Sequence, residues 1–516
     1  MSKTYPAEVN WKLYSRALLA IFLLVQLLRW RVSPQFIDIY YHLLTAWGFL
    51  QAGGYSGWDF WHYAPVGRMH IYPPLFHLIL VFFIKLGLQK ILLIKILEIV
   101  LPVALLGLIQ RVISARFSPR LAFLVLLFIG SSFSFYLSLI NYLPATLAMI
   151  FGFLCFDRML RRNFLPASLF LALCFYTHIG ISYFFALSFI LYGLFRKEER
   201  RAFVLPVVYA LVLAAPVLFK QAAALKVISV FGVSNENNFC EFKVIESILG
   251  LAGLALAVRM RKDYWLFVSF FLASFIFLVY PYRFFSAQGY LPLVFLAAVA
   301  ADFLYNKFTA KIPQLQYPLF ITLVLYCLYF SPTLMMNPRE EGYKKQYTVY
   351  VADSVLANTF FGQPHERIAT LLSEFPQKEL LSAASIIEAH SQEGDIVSSE
   401  IYSIGVTLAS LSGRATANRL FPEIKASKEV DPLAVSTIIV FLQDIDPVLL
   451  NSLQRKYDLQ KIGENRLFTL YKNPACRTKA HVKQASISFG GIAALSLVIL
   501  FLYLGSFRLR RVFESG

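Results

Sequence analysis

Apolar positions in this chain gather into long runs divided by short charged stretches. The runs 16–32, 91–110, 120–138, 142–157, 164–178, 180–195, 202–219, 244–259, 264–281, 286–304, 314–331 and 486–506 approach the length at which a helix crosses about 30 Å of hydrocarbon. They predict a polytopic α-helical membrane protein with about twelve spans. One stretch, Ile71 to Gly87, is ambiguous. Counted as a span, it would put Arg111, Arg116 and Arg120 outside and invert every later basic loop. Laid on the outer face as an amphipathic or half-inserted helix, it leaves the loops 111–120, 158–162, 196–201, 259–262 and 306–311 in the cytoplasm. Both chain termini join them, with Arg508, Arg510 and Arg511 at the end. Pro73-Pro74 suits a helix that starts at an interface, because proline is tolerated in a first turn. The run after Lys3, Lys12 and Arg16 begins like a signal peptide. It lacks a small-residue cleavage site before Arg29, Trp30 and Arg31, so it reads as an uncleaved span.

Residues 338–482 break the pattern, with mixed polarity and period-2 runs. Helix-like 379–390, 403–412 and 447–456 alternate with strand-like 395–398, 437–442 and 466–472, which predicts a small extracytoplasmic α/β domain. The expected organisation is therefore a multi-span domain over 1–337 with a long outer loop at 33–90, the α/β domain at 338–482, and a final helix with a basic cytoplasmic tail at 483–516.

Composition agrees with lipid as the solvent: 58% of residues are hydrophobic and only 15% charged, more apolar surface than a soluble fold can bury. The net charge of +18 follows the short inner loops, so it indicates orientation rather than nucleic-acid binding. The five cysteines form no CxxC pair, which argues against thiolate metal ligation; Cys240 and Cys476 both face outward and are the pair that a disulfide would join. On this topology all eight histidines lie on or near the outer side. Polar chemistry concentrates there, although histidine also favours wet interfaces generally.

Loops as long as 33–90 are usually functional or disordered, and its aromatic content argues for order. Asp38 stands at its start, in Phe36-Ile37-Asp38-Ile39-Tyr40-Tyr41-His42. A carboxylate at a membrane edge is costly unless paired or wet. Asp38 is thus a candidate general base, a ligand for a divalent cation, or a helix-end partner of Arg29 or Arg31. Farther on lie Trp58, Asp59, Trp61, His62 and the run Pro65-Val66-Gly67-Arg68-Met69-His70-Ile71-Tyr72-Pro73-Pro74. Arg68 and His70 suit an anionic headgroup, with anchoring to lipid phosphates as the simpler alternative.

An Asp followed by paired aromatics and His, then a Trp-rich stretch with Pro-x-Gly-Arg and Tyr-Pro-Pro, resembles the first loop of oligosaccharyltransferase catalytic subunits. These belong to the C-type (GT-C) glycosyltransferases, polytopic enzymes that take sugars from polyprenyl-phosphate carriers. Arg283, in Tyr280-Pro281-Tyr282-Arg283-Phe284-Phe285, resembles the arginine that meets the carrier phosphate in that family. A snorkelling arginine is the alternative. The resemblance implies a GT-C-like fold and transfer of a sugar from a polyprenyl-phosphate or -pyrophosphate donor to an outer glycan, lipid or protein acceptor, in the cell (plasma) membrane. It makes Asp38 the catalytic carboxylate or metal ligand, Arg283, Arg68 and His70 the donor-phosphate residues, and Tyr40, His42, Tyr72, His178 and Tyr282 the pocket lining. His178 also reads as a capping residue.

Two features depart from the family. The second outer loop, Ser138-Leu139-Ile140-Asn141-Tyr142-Leu143-Pro144, has no carboxylate to help hold Mg²⁺ or Mn²⁺, so metal-independence stays open and Glu236 or Glu241 is the remaining candidate ligand. The Trp-Trp-Asp sequon-reading signature is absent; Ser399-Glu400-Ile401-Tyr402 stands in its place. Two other classes compete: a transporter or lipid flippase, and a non-catalytic protein that binds lipid-linked sugar. The former requires ionisable residues deep in the spans and repeated halves, of which only Lys95 and Glu98 are visible.

Overall fold

The computed structural model describes residues 9–30, 34, 36–228, 240–260, 262–336, 347–360, 375–420, 424–426, 428–492 and 494. They form two compact units. One comprises Met1–Trp30, Glu98–Ala215 and Ser234–Pro364; the other comprises Arg31–Leu97, Pro216–Val233 and His365–Gly516. The first outer loop therefore folds with the segment of mixed polarity and not with the helix that precedes it.

The first unit is helical, and the protein is a multi-pass membrane protein. Among the described residues, helices Trp11–Arg29, Lys90–Arg116, Leu143–Leu160 and Pro281–Lys311 are long and apolar enough to cross a membrane, and two bent pairs raise the number to six. The expected twelve spans go beyond this. The run 120–138 shows why: helix Pro119–Gly130 ends and Phe133–Asn141 starts after a bend of 86°. The Ser132 hydroxyl accepts the Phe135 N–H as an N-cap, so a serine pair restarts the helix where hydropathy alone reads continuity. Helices Val244–Met260 and Tyr290–Lys311 approach so closely that a Cβ on Gly253 would sit 1.8 Å from the Leu296 carbonyl oxygen. Small residues at such crossings let membrane helices pack backbone to backbone.

The second unit holds a five-stranded mixed sheet in the order Gln460–Glu464, Phe468–Lys472, Ile438–Leu442, Ile396–Ser399, Ala415–Thr416. Ile396–Ser399 runs parallel to both of its neighbours; the remaining pairings are antiparallel. The two central parallel strands, Ile-Val-Ser-Ser and Ile-Ile-Val-Phe-Leu, are buried almost throughout and carry no charged residue. Helices Gln377–His390, Tyr402–Ser412 and Pro447–Tyr457 lie within two residues of the stretches expected from sequence. Ile71–Gly87 contains one helix, Leu75–Lys85, whose 11 residues are too few to span hydrocarbon. Cys476 is a free thiol. The expected last span lies outside the described residues beyond its first turn.

Candidate functional site

Asp38 lies in the first turn of helix Ile37–Ala52, half-buried, where a carboxylate complements the positive end of the helix dipole. Apolar and aromatic neighbours bury nearly everything behind it on this helix. The Tyr40 hydroxyl donates to the Pro34 carbonyl at 2.9 Å, and Tyr40 is 1% exposed. His42, one turn after Asp38, is buried with Nδ1 2.9 Å from His77 Nε2 and its ring 5.0 Å from half-buried Tyr72. Tyr40 and His42 thus shape the backing of the Asp38 helix and have little surface to offer a ligand.

Arg68 and His70 take positions other than those expected. Trp58–Asp59 and Arg68–Met69 form a two-residue antiparallel pair in which Asp59 stands opposite Arg68. Gly67, at φ +67°, makes the turn; a Cβ there would meet Trp58 Nε1 at 2.5 Å and the Asp59 carbonyl at 2.7 Å. The Gly-Arg pair therefore serves to deliver the guanidinium inward. Arg68 is 1% exposed, with Nε 3.5 Å from Asp59 Oδ2, Nη2 donating to Leu420 O at 2.8 Å and Nη1 donating to Ile424 O at 3.3 Å. The Leu420 N–H donates to His62 Nε2 at 2.8 Å, and Ala64 N and Thr416 N bond across to Thr416 O and Trp61 O. Arg68 thus ties the first loop to Leu420 and Ile424, which follow the edge strand Ala415–Thr416, and is covered from solvent. His70 is also 1% exposed, packed against Phe49, Trp61 and His77, with no hydrogen-bond partner on either ring nitrogen among the described residues.

Burial raises the Asp59 carboxyl against the opposing pull of the Arg68 guanidinium, to about 7. A folded-state value above the ordinary one means that Asp59 contributes stability below its unfolded value, near 4, and that this is lost as pH rises through about 7. The stability of wild type minus that of Asp59→Asn, read by thermal unfolding, is expected to fall between about pH 5 and pH 8. A difference that stays constant over that range contradicts this assignment.

In the other unit, Tyr282 and Arg283 sit on the short helix Pro281–Phe285, both half-buried. The Arg283 guanidinium lies over the rings of Tyr142 and Tyr280, 5.2 Å from each centroid. Among the described residues it makes no ion pair and no side-chain hydrogen bond, so its fork of donors is held in place by aromatic faces and left unspent. His178 caps helix Ile179–Phe195, its Nδ1 accepting the Ile181 N–H at 3.3 Å. The capping ring is 7% exposed.

Of the expected metal ligands, Glu236 lies outside the described residues. Glu241 is 4% exposed and accepts the Ser134 hydroxyl. No group of three or more His, Cys, Asp or Glu among the described residues can hold a metal ion. A hard cation demands several charged oxygens, and the described donor set does not supply them.

Sequence reading missed one buried polar network. Lys243 Nζ donates to Ser331 O and Asp353 O at 2.9 Å and lies 3.3 Å from Asp353 Oδ2, while the Ser331 hydroxyl donates to Glu246 at 2.8 Å. It secures the strands Cys240–Lys243 and Thr333–Met336, which pair in register. Lys243 at the threshold of an apolar run was the available signal. Its partner Asp353 is 110 residues away and could not be read from it.

No protein-family model matches the chain. No curated protein matches it by sequence. Solved structures do resemble it. The arabinofuranosyltransferase AftD from Mycobacteria aligns over 92% of this chain and 42% of its own, at 13% identity and a TM-score of 0.50. An oligosaccharyltransferase of Archaeoglobus fulgidus tethered to an acceptor peptide aligns over 86% of this chain and 68% of its own, at 11% identity and a TM-score of 0.46. The AglB oligosaccharyltransferase of the same organism, in complex with an inhibitory peptide and a dolichol-phosphate, aligns over 85% and 70% at 11% identity, with a TM-score of 0.42. These neighbours are GT-C enzymes, and the likeness to AftD is one of fold.

Proposed function

We propose that this protein is a GT-C glycosyltransferase that moves a sugar from a polyprenyl-phosphate or -pyrophosphate donor to an acceptor on the outer side of the cell membrane. The observation that carries the reading is Arg283: a cation fixed between two tyrosine rings at the head of an apolar helix, with no anion of its own among the described residues. A guanidinium so placed suits a bidentate phosphate ligand. Asp38, in the first turn of helix Ile37–Ala52, is assigned as the base. In the transfer, an acceptor hydroxyl oxygen attacks the anomeric carbon and the bond from that carbon to the phosphate oxygen breaks. The carrier leaves with its phosphate charge on Arg283, and the hydroxyl proton passes to the Asp38 carboxylate. The topology that serves this chemistry has twelve spans, both termini in the cytoplasm and an extracytoplasmic α/β domain at 338–482.

A carrier-binding protein without turnover is the second reading, favoured by the absence of carboxylates in Ser138–Pro144. Purified protein given a radiolabelled polyprenyl-phosphate sugar and outer-surface glycolipid as acceptor is expected to release free carrier. Binding without release would select the second reading, and vectorial movement of intact donor would select transport.

A further inference from the structure

The ends of the helical unit's spans that carry the basic loops line a cavity of about 380 Å³, with Phe117, Arg120, Met260, Tyr264, Asp302 and Asn306 among its walls. Its floor is polar: Arg120 Nε donates to Asp302 Oδ1 at 2.5 Å, and the guanidinium carbon lies 5.3 Å from the Tyr305 ring centroid. That pairing spends only one nitrogen. Nη1 and Nη2 have no hydrogen-bond partner among the described residues, so two donors of a fixed fork remain. One side is aromatic, with Phe117 and Tyr264 stacked at 5.6 Å; another is aliphatic, from Leu256 and Val299.

Basic residues adjoin the lining segments in sequence. Arg116 precedes Phe117, Arg259 precedes Met260 and Lys307 follows Asn306, so three of the chain segments that line the cavity carry a basic side chain at their edge. Arg116 is partly neutralised by Asp263 at 3.0 Å, whereas Arg259 and Lys307 are exposed. A phosphate-sized anion would meet the Arg120 fork, and an attached hydrocarbon chain would meet Leu256, Met260 and Val299. We propose that this cavity holds the headgroup of an anionic membrane phospholipid, its phosphate on Arg120 and its acyl chains along the apolar wall. Basic pockets between membrane helices recognise anionic headgroups in this way. Bound there, the lipid would bridge helices Pro119–Gly130, Val244–Met260 and Tyr290–Lys311. The inference rests on the chain spanning a membrane and is independent of the glycosyl-transfer reading.

Detergent-solubilised full-length protein, titrated with phosphatidylglycerol or phosphatidylcholine and read by native mass spectrometry, tests it. Phosphatidylglycerol is expected to bind at least about fivefold more tightly, and Arg120→Gln should abolish the preference. Should Arg120→Gln fail to fold, Lys307→Glu decides the matter: at an exposed position it should weaken phosphatidylglycerol binding without changing thermal unfolding. Equal binding of the two lipids, or an unchanged preference in a folded Arg120→Gln or in Lys307→Glu, overturns the proposal. So does displacement of the lipid by an equal concentration of inorganic phosphate, which would make the ligand a free anion.

Discussion

Replacing Asp38 by Asn is expected to lower glycosyl transfer by about 10²- to 10⁴-fold, the range over which a positioned general base contributes. Asn keeps the shape and the helix position but cannot take the acceptor proton. Carrier binding should survive, because the phosphate is assigned to Arg283 and not to the carboxylate. Asp38 is half-buried in a first helical turn, and thermal unfolding of the variant, read beside turnover, separates lost chemistry from a lost fold. The measurement is single-turnover release of free carrier beside a carrier-binding isotherm. Unchanged turnover would remove Asp38 from the chemistry; lost binding with lost turnover would make it part of the donor site instead.

Arg68→Met is expected to act on stability first. The guanidinium is 1% exposed, faces Asp59 and donates to the carbonyls of Leu420 and Ile424. Methionine fills much of the volume and leaves those acceptors and the carboxyl without their donor. Removing one member of a buried ionic network costs about 3–5 kcal/mol. In a unit of this size that lowers Tm by on the order of 10 °C. The sequence-based role, contact with a lipid headgroup, predicts the opposite split: near-wild-type unfolding with weakened donor binding. Thermal unfolding and donor affinity measured on one preparation separate the two.

That contrast shows what the sequence discloses and what it withholds. Hydropathy locates the apolar helices, and alternation locates most of the sheet, because both periodicities are local. The edge strand Gln460–Glu464 went unread: it is largely exposed and carries no apolar alternation. Hydropathy is equally blind to the bend at Ser131–Ser132, since a capping serine barely alters the average over a span. The run Gly67-Arg68 announces a cation after a turn, but its acceptors lie 352 and 356 residues away, so its destination cannot be inferred. Arg283 stands out in the sequence as an arginine among apolar runs, but that its guanidinium lies over Tyr142, 141 positions earlier, cannot be read there. His178 reads as a cap from its place between two helices, and it is one.

The central claim is that Arg283, held over the rings of Tyr142 and Tyr280, binds the donor phosphate. Arg283→Gln, with polyprenyl-phosphate binding measured beside thermal unfolding, tests it most directly. Loss of at least about tenfold in carrier affinity with unfolding unchanged is the predicted result. Wild-type carrier affinity in a folded Arg283→Gln would contradict the claim.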